Sequence, residues 1–175
     1  MFKYIYEDVV SVLEYLPYSL ALGIPIAFVL LWIFFRNGEE RKKGFSQAVP
    51  IVVFAMYLAI LLVITFFSRE SGSSVGGVDM QLFSTWGINV RNNAFVVENV
   101  LLFIPYGFLY SWAFRWGRSI FRCTLFGALT SMLVEYFQLL TERGYFQIDD
   151  ILTNTLGMMI GALLFWLFVG RKRYI

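Results

Sequence analysis

Five long apolar stretches alternate with short polar ones along the chain. They cover residues 16–35, 48–67, 95–114, 119–140 and 148–169, each close to the ~20 residues that an α-helix needs to cross the hydrocarbon core of a bilayer. Residues 1–15 follow another pattern. Phe2, Ile5, Val9, Val12, Leu13 and Leu16 recur at helical spacing opposite Lys3, Glu7, Ser11 and Glu14. This predicts an amphipathic helix in the membrane interface, leading into the first span. Acidic Glu7, Asp8 and Glu14 stand where a signal peptide would carry its basic n-region, so none is expected. Pro25 should kink the first span. Residues 36–43 read as a charged loop and 71–77 as a flexible Gly/Ser tether. Residues 79–94 carry Leu82, Phe83, Trp86 and Ile88 among polar neighbours and should lie along the interface.

Composition supports the same reading. Of 175 residues, 59% are hydrophobic and 15% charged, and the mean hydropathy is +0.69. A soluble domain of this size has too little interior to hide that much apolar surface, so lipid is the solvent. The fold class is therefore all-α: a polytopic membrane helical bundle of five transmembrane helices, with an N-terminal amphipathic helix and an interfacial outer loop. One domain spans residues 1–175. A net charge of +2 without a basic arm gives no indication of nucleic-acid binding. With no histidine and only Cys123, the chain cannot build a Cys–His nucleophile, a Ser–His–Asp triad or an internal disulfide.

Lysine and arginine set the expected orientation. Arg36, Arg41, Lys42, Lys43, Arg115, Arg118, Arg122, Arg171, Lys172 and Arg173 fall on one side, and only Lys3, Arg69, Arg91 and Arg143 on the other. The first set should be cytoplasmic, which puts the N-terminus outside and the C-terminus inside.

The intramembrane polar residues gather on the outer side. Glu98 and Asn99 open the third span, Glu135 and Gln138 close the fourth, and Asp149, Asp150 and Asn154 open the fifth. At 100° per residue Ser131, Glu135, Gln138 and Glu142 share one helix face, as do Asp150, Asn154, Gly157 and Gly161. Ionisable groups near the bilayer centre cost at least ~2.5 kcal/mol each, so their grouping points to a shared purpose. Two readings fit. In one, the groups form a structural charge and hydrogen-bond network between helices. In the other, Arg69, Arg91 and Arg143 hold an anionic headgroup, Asn99, Gln138 and Asn154 orient it, and Glu135, Asp149 and Asp150 act as acid, base or arginine-orienting groups. Gly157 and Gly161 form a GxxxG pair that admits a neighbouring helix, within the monomer or across a homodimer.

Asn99-Val-Leu-Leu-Phe-Ile-Pro105-Tyr-Gly107, Glu135-x-x-Gln138, Arg143, Asp149-Asp150 and Asn154-x-x-Gly157-x-x-x-Gly161, in this order, resemble the VanZ-like family; Arg91 and Ser68-Arg69 fit the same pattern. The resemblance covers roughly residues 45–170. The stretch between Arg143 and Asp149 departs from the family pattern and reads as ordinary. The resemblance implies an integral protein of the bacterial plasma membrane with an envelope role, in a family whose named member confers low-level resistance to teicoplanin-type glycopeptides. It implies no settled reaction.

The leading expectation is a site in the outer leaflet that engages a membrane lipid or lipid-linked envelope precursor, or the glycopeptide antibiotic itself. A membrane hydrolase or transferase acting on a phosphoryl or acyl group is the catalytic alternative. No resident cofactor is expected, although Glu135, Asp149 and Asp150 offer oxygen ligands suited to Mg²⁺. A small transporter ranks last, because it needs polar groups continuing into the inner halves of the spans, which are almost bare of them.

Overall fold

The computed structural model describes residues 1–36, 45–67, 69, 72 and 77–170. The charged loop beyond Arg36, most of the 71–77 tether and the 171–173 basic tail lie outside the described residues. Helix α1 (Phe2–Val12) passes through a 3₁₀ turn at Leu13–Tyr15 into α2 (Leu16–Arg36). Together they make one helical run of 35 residues. Its length of about 52 Å at 1.5 Å per residue exceeds the ~30 Å hydrocarbon thickness, so its first part extends past the hydrocarbon. The chain continues through α3 (Phe45–Leu62), a π turn at Val63–Phe67, the two-residue strand β1 (Val78–Asp79), α4 (Val90–Ala113), α5 (Ile120–Leu140), strand β2 (Phe146–Gln147) and α6 (Ile148–Phe165). Five helices among the described residues are long and apolar enough to cross a membrane.

Three boundaries refine the sequence reading. Helix α4 begins five residues before the apolar stretch does, because the Asn89 side chain caps it by accepting from the Asn92 N–H at 2.8 Å. The interfacial segment is correspondingly shorter. Helix α3 widens into a π turn just before Arg69. Helix α2 continues through Pro25.

The packing face of α1 also differs from expectation. Ile5, Asp8, Val12 and Tyr15 are the partly covered positions. Phe2, Val9 and Leu13, on the expected apolar face, stay exposed, as residues solvated by lipid do.

The tightest helix contact is between α4 and α6. A Cβ on Gly157 would collide with the carbonyl oxygen of Val100, and one on Gly161 with that of Ile104. Gly107 meets the Met158 carbonyl in the same way. The two backbones touch along a seam that tolerates no side chain. The GxxxG pair is thus used inside the monomer. Increasing residue numbers match along both helices, so α4 and α6 run parallel and begin at the same face of the bundle.

Aromatic rings fill the interior beside this seam. Phe54, Tyr106, Tyr110 and Phe126 form a stacked cluster, with Tyr110 and Phe126 4.2 Å apart between ring centroids. The aromatic residues therefore supply core as well as lipid contact. Cys123 is fully buried beside Ser111. At the far end, Gln47 donates to the Ala113 carbonyl at 2.6 Å and ties the start of α3 to the end of α4.

The seam yields a differential prediction. Gly161→Ala places its methyl against backbone, which cannot move aside, and should lower thermal stability in detergent by the ~1–3 kcal/mol typical of overpacking. Gly170→Ala meets nothing closer than Trp166 Cδ1 at 3.5 Å, an ordinary van der Waals contact, and should cost clearly less. Equal losses for both would contradict a rigid α4–α6 seam.

Candidate functional site

The site forms where α3 and α5 end and α4 and α6 begin. Glu135, one turn and a half before the end of α5, is 2% exposed. Its Oε2 accepts the Gln147 backbone N–H at 3.0 Å, at the entry to α6. That N–H belongs to the unpaired donors of a helix start, where the helix dipole also favours negative charge. Asp150, in the first turn of α6, lies beside Glu135, and the Arg69 guanidinium acts electrostatically on both carboxyls. Asn99 of α4 turns its amide to Asp150. Arg69 itself is exposed, so this group of two acids, an amide and an arginine has a buried floor and an open cationic side.

Two amides flank this group, Gln138 nearer the end of α5 and Asn154 one turn deeper in α6. Gln138 is buried and donates through Nε2 to the Thr65 carbonyl at 3.0 Å. Asn154 is buried and donates through Nδ2 to the Ser131 hydroxyl at 2.9 Å, which joins the two polar stripes read from the sequence. Its Oδ1 has no hydrogen-bond partner among the described residues. Arg143 donates through Nη1 to the Phe66 carbonyl at 2.6 Å, and its buried Nε has no hydrogen-bond partner there either. Thr65 and Phe66 belong to the π turn. Widening the helix opens the i→i−4 ladder at that point, and Gln138 and Arg143 use the carbonyls it presents.

Not every candidate residue joins this group. Arg91 pairs with Asp8 of α1, at 2.8 Å from Nη1 to Oδ2 and 3.1 Å from Nη2 to Oδ1, and stacks over Tyr4 and Phe95. Glu98 lies against Asp8 and Arg91. These groups make a second cluster that docks the N-terminal helix. Asp149 is buried, and both of its oxygens hold the 80–89 loop. Oδ1 accepts the Phe83 N–H at 2.7 Å and Oδ2 the Thr85 N–H at 3.0 Å. This clasp holds Phe83 at φ +61°, a region that bulky residues rarely enter. Asp79, at the end of β1 just before this loop, accepts from Ser84 Oγ at 2.7 Å, and this bond with one from the Gln81 N–H holds its carboxyl below the usual range. Among the described residues no three His, Cys, Asp or Glu side chains group as metal ligands.

Two contributors escaped the sequence reading. Asp8 is the partner of Arg91, signalled only by its helical spacing from Ile5 and Val12. Gly144 lies in the stretch that reads as ordinary. A Cβ there would stand 2.9 Å from Arg69 Nη1 and 3.3 Å from Gln138 Oε1, so the missing side chain is what lets Arg69 lie over the turn. The same turn supplies the Gln147 N–H to Glu135. β1 and β2 pair in parallel through Val78–Phe146 and Asp79–Gln147, and this fixes the turn against the incoming loop.

No curated protein and no solved structure gives a match to this chain. The sequence profile of the VanZ/LLP1 family matches residues 54–169. That span runs from α3 through α6 and contains every one of the nine candidate residues, Arg69, Arg91, Asn99, Glu135, Gln138, Arg143, Asp149, Asp150 and Asn154. The chain is a multi-pass membrane protein that belongs to the VanZ/LLP1 family.

Proposed function

We propose that this protein works in the bacterial cell envelope and contributes to low-level resistance against teicoplanin-type glycopeptides. It does so by engaging the polar head of a membrane lipid or lipid-linked precursor at the Glu135–Asp150–Arg69 group. The observation that carries this reading is the pairing of buried Glu135 with Asp150 beneath one exposed arginine. A network built for stability alone would not need two acids there, since interhelical hydrogen bonds in membranes average only ~0.6 kcal/mol and uncharged groups supply them at lower desolvation cost. An exposed guanidinium above one buried and one half-buried carboxyl suits a ligand that is anionic at one point and carries hydroxyl or amide donors beside it.

The roles follow from position. Arg69 holds the anion with charge-assisted bonds. Glu135 and Asp150 accept from hydroxyl or amide groups when ionised, and a protonated carboxyl donates. Asn99 orients Asp150, while Gln138 and Ser131–Asn154 fix the helices around them. Asp149 positions the 80–89 loop, and Arg91 positions α1. The two adjacent acids also favour one catalytic alternative, a hydrolase or transferase in which one acts as general base on a phosphoryl or acyl group held by Arg69.

The site face is extracytoplasmic in this proposal, because Arg36, Arg115, Arg118 and Arg122 all lie toward the other end of the bundle. With buried Cys123 replaced by Ser, Glu142→Cys should react with a membrane-impermeant maleimide on intact cells and Arg115→Cys should not. The reverse pattern would place the site inside and remove the envelope role. Function is tested by expressing the protein in a teicoplanin-susceptible host. Glu135→Gln and Arg69→Gln, at matched membrane levels, should return the inhibitory concentration to that of the empty vector. Full protection by both variants would refute the proposal. Under the catalytic alternative, Glu135→Gln abolishes protection while the purified variant still retains ligand; loss of both indicates a binder.

A further inference from the structure

A lateral groove of about 690 Å³ opens on the side of the bundle where α2, α3 and the end of α5 meet. Its volume falls within the ~300–1,000 Å³ of ligand sites. Leu22, Leu62, Phe66 and Leu140 make its apolar wall, and Glu142 and Arg143 stand at its polar end. Helix α2 packs chiefly on α3, so its meeting with α5 leaves this gap toward the surrounding lipid.

From this groove we infer that the protein takes its ligand sideways from the membrane, and that the ligand is an anionic phospholipid-like amphiphile. Its acyl chain lies along Leu22, Leu62 and Leu140, and its phosphate sits against Arg143. This deepens the proposed function and rests on it. Two observations argue for the occupant. The polar end of the groove is lined by the half-buried Arg143, whose guanidinium gives the Phe66 carbonyl one bond from Nη1 and brings its positive charge to the groove. An acyl chain suits the wall, and a phosphate suits the remaining donors of Arg143.

The second observation is continuity with the carboxylate site. Arg143 is followed at once by Gly144, and Arg69 Nη1 lies over Gly144. Arg69 in turn acts on Glu135 and Asp150. A headgroup entering along the groove thus meets Arg143 first, then Arg69, and reaches the carboxyls last. Glu142, which lines the rim with φ +54°, would repel a second negative charge and accept from a hydroxyl group on the head. The arrangement selects a lipid with one phosphate and a neutral donor-bearing head.

The test uses the full-length protein in detergent, with phosphatidylglycerol or phosphatidylcholine added and adducts counted by native mass spectrometry. Wild type should hold one phosphatidylglycerol and discriminate against phosphatidylcholine. Arg143→Gln should weaken the adduct about tenfold, the equivalent of one lost charge-assisted contact. Leu22→Trp, which fills the groove from α2 and leaves both arginines in the sequence, should weaken it similarly while thermal stability is retained. Equal uptake of both lipids means only an annular lipid and overturns the inference. Unchanged binding in Arg143→Gln and Leu22→Trp also overturns it. If Arg69→Gln then removes the adduct, the carboxylate site still binds lipid and only the lateral route is lost; if it does not, both readings fall.

Discussion

The direct contact of the α4 and α6 backbones is the constraint on which the rest of the bundle depends. In lipid there is no hydrophobic drive to bring helices together, so association relies on close packing and on hydrogen bonds. Gly157 and Gly161 supply the closeness by leaving room for the carbonyls of Val100 and Ile104. Because the two helices run parallel, their first turns lie at one face. Asn99 thereby reaches the neighbourhood of Asp150, and α5 needs only to pack against α6 for Glu135 to meet the Gln147 N–H. The carboxyl pair is a consequence of a glycine seam two to three turns deeper in the membrane.

The arginines then divide the polar surface between them. Arg91 holds α1 through Asp8, Arg143 holds the end of α5 to the π turn through Phe66, and Arg69 stands over the carboxyls. Each buried polar group in a lipid environment needs such a partner. Of these three, Arg69 alone is exposed and acts on both carboxyls of the site, which makes it the arginine that can hold a ligand against the two acids.

Much of this was legible in the sequence, for reasons that can be traced. Hydrophobic length located the five spans, and helical periodicity placed Ser131 with Glu135 and Asn154 with Asp150. The Ser131–Asn154 bond shows that the two stripes do face each other. Periodicity cannot say which arginine faces which acid, since that depends on tertiary neighbours. Arg91 accordingly pairs with Asp8, from a helix 83 positions away in sequence. It also cannot reveal a π turn, because Val63–Phe67 is apolar apart from Thr65 and carries no pattern that sets it off from the α-helix before it. Gly144 and the backbone N–H of Gln147 were hidden for a different reason. Their contribution lies in an absent side chain and a main-chain group, which no residue pattern records.

The central claim is that Arg69 and Glu135 are energetically coupled across the membrane boundary. A double-mutant cycle with Arg69→Gln, Glu135→Gln and the double variant, read as thermal unfolding in detergent, measures that coupling directly. The account predicts that the double variant is less destabilised than the sum of the single ones, by an interaction of roughly 0.5–1 kcal/mol, the lower part of the range for contacting residues because Arg69 is exposed. Additivity to within about 0.3 kcal/mol would show that the two groups do not sense each other, and the site as described would not exist.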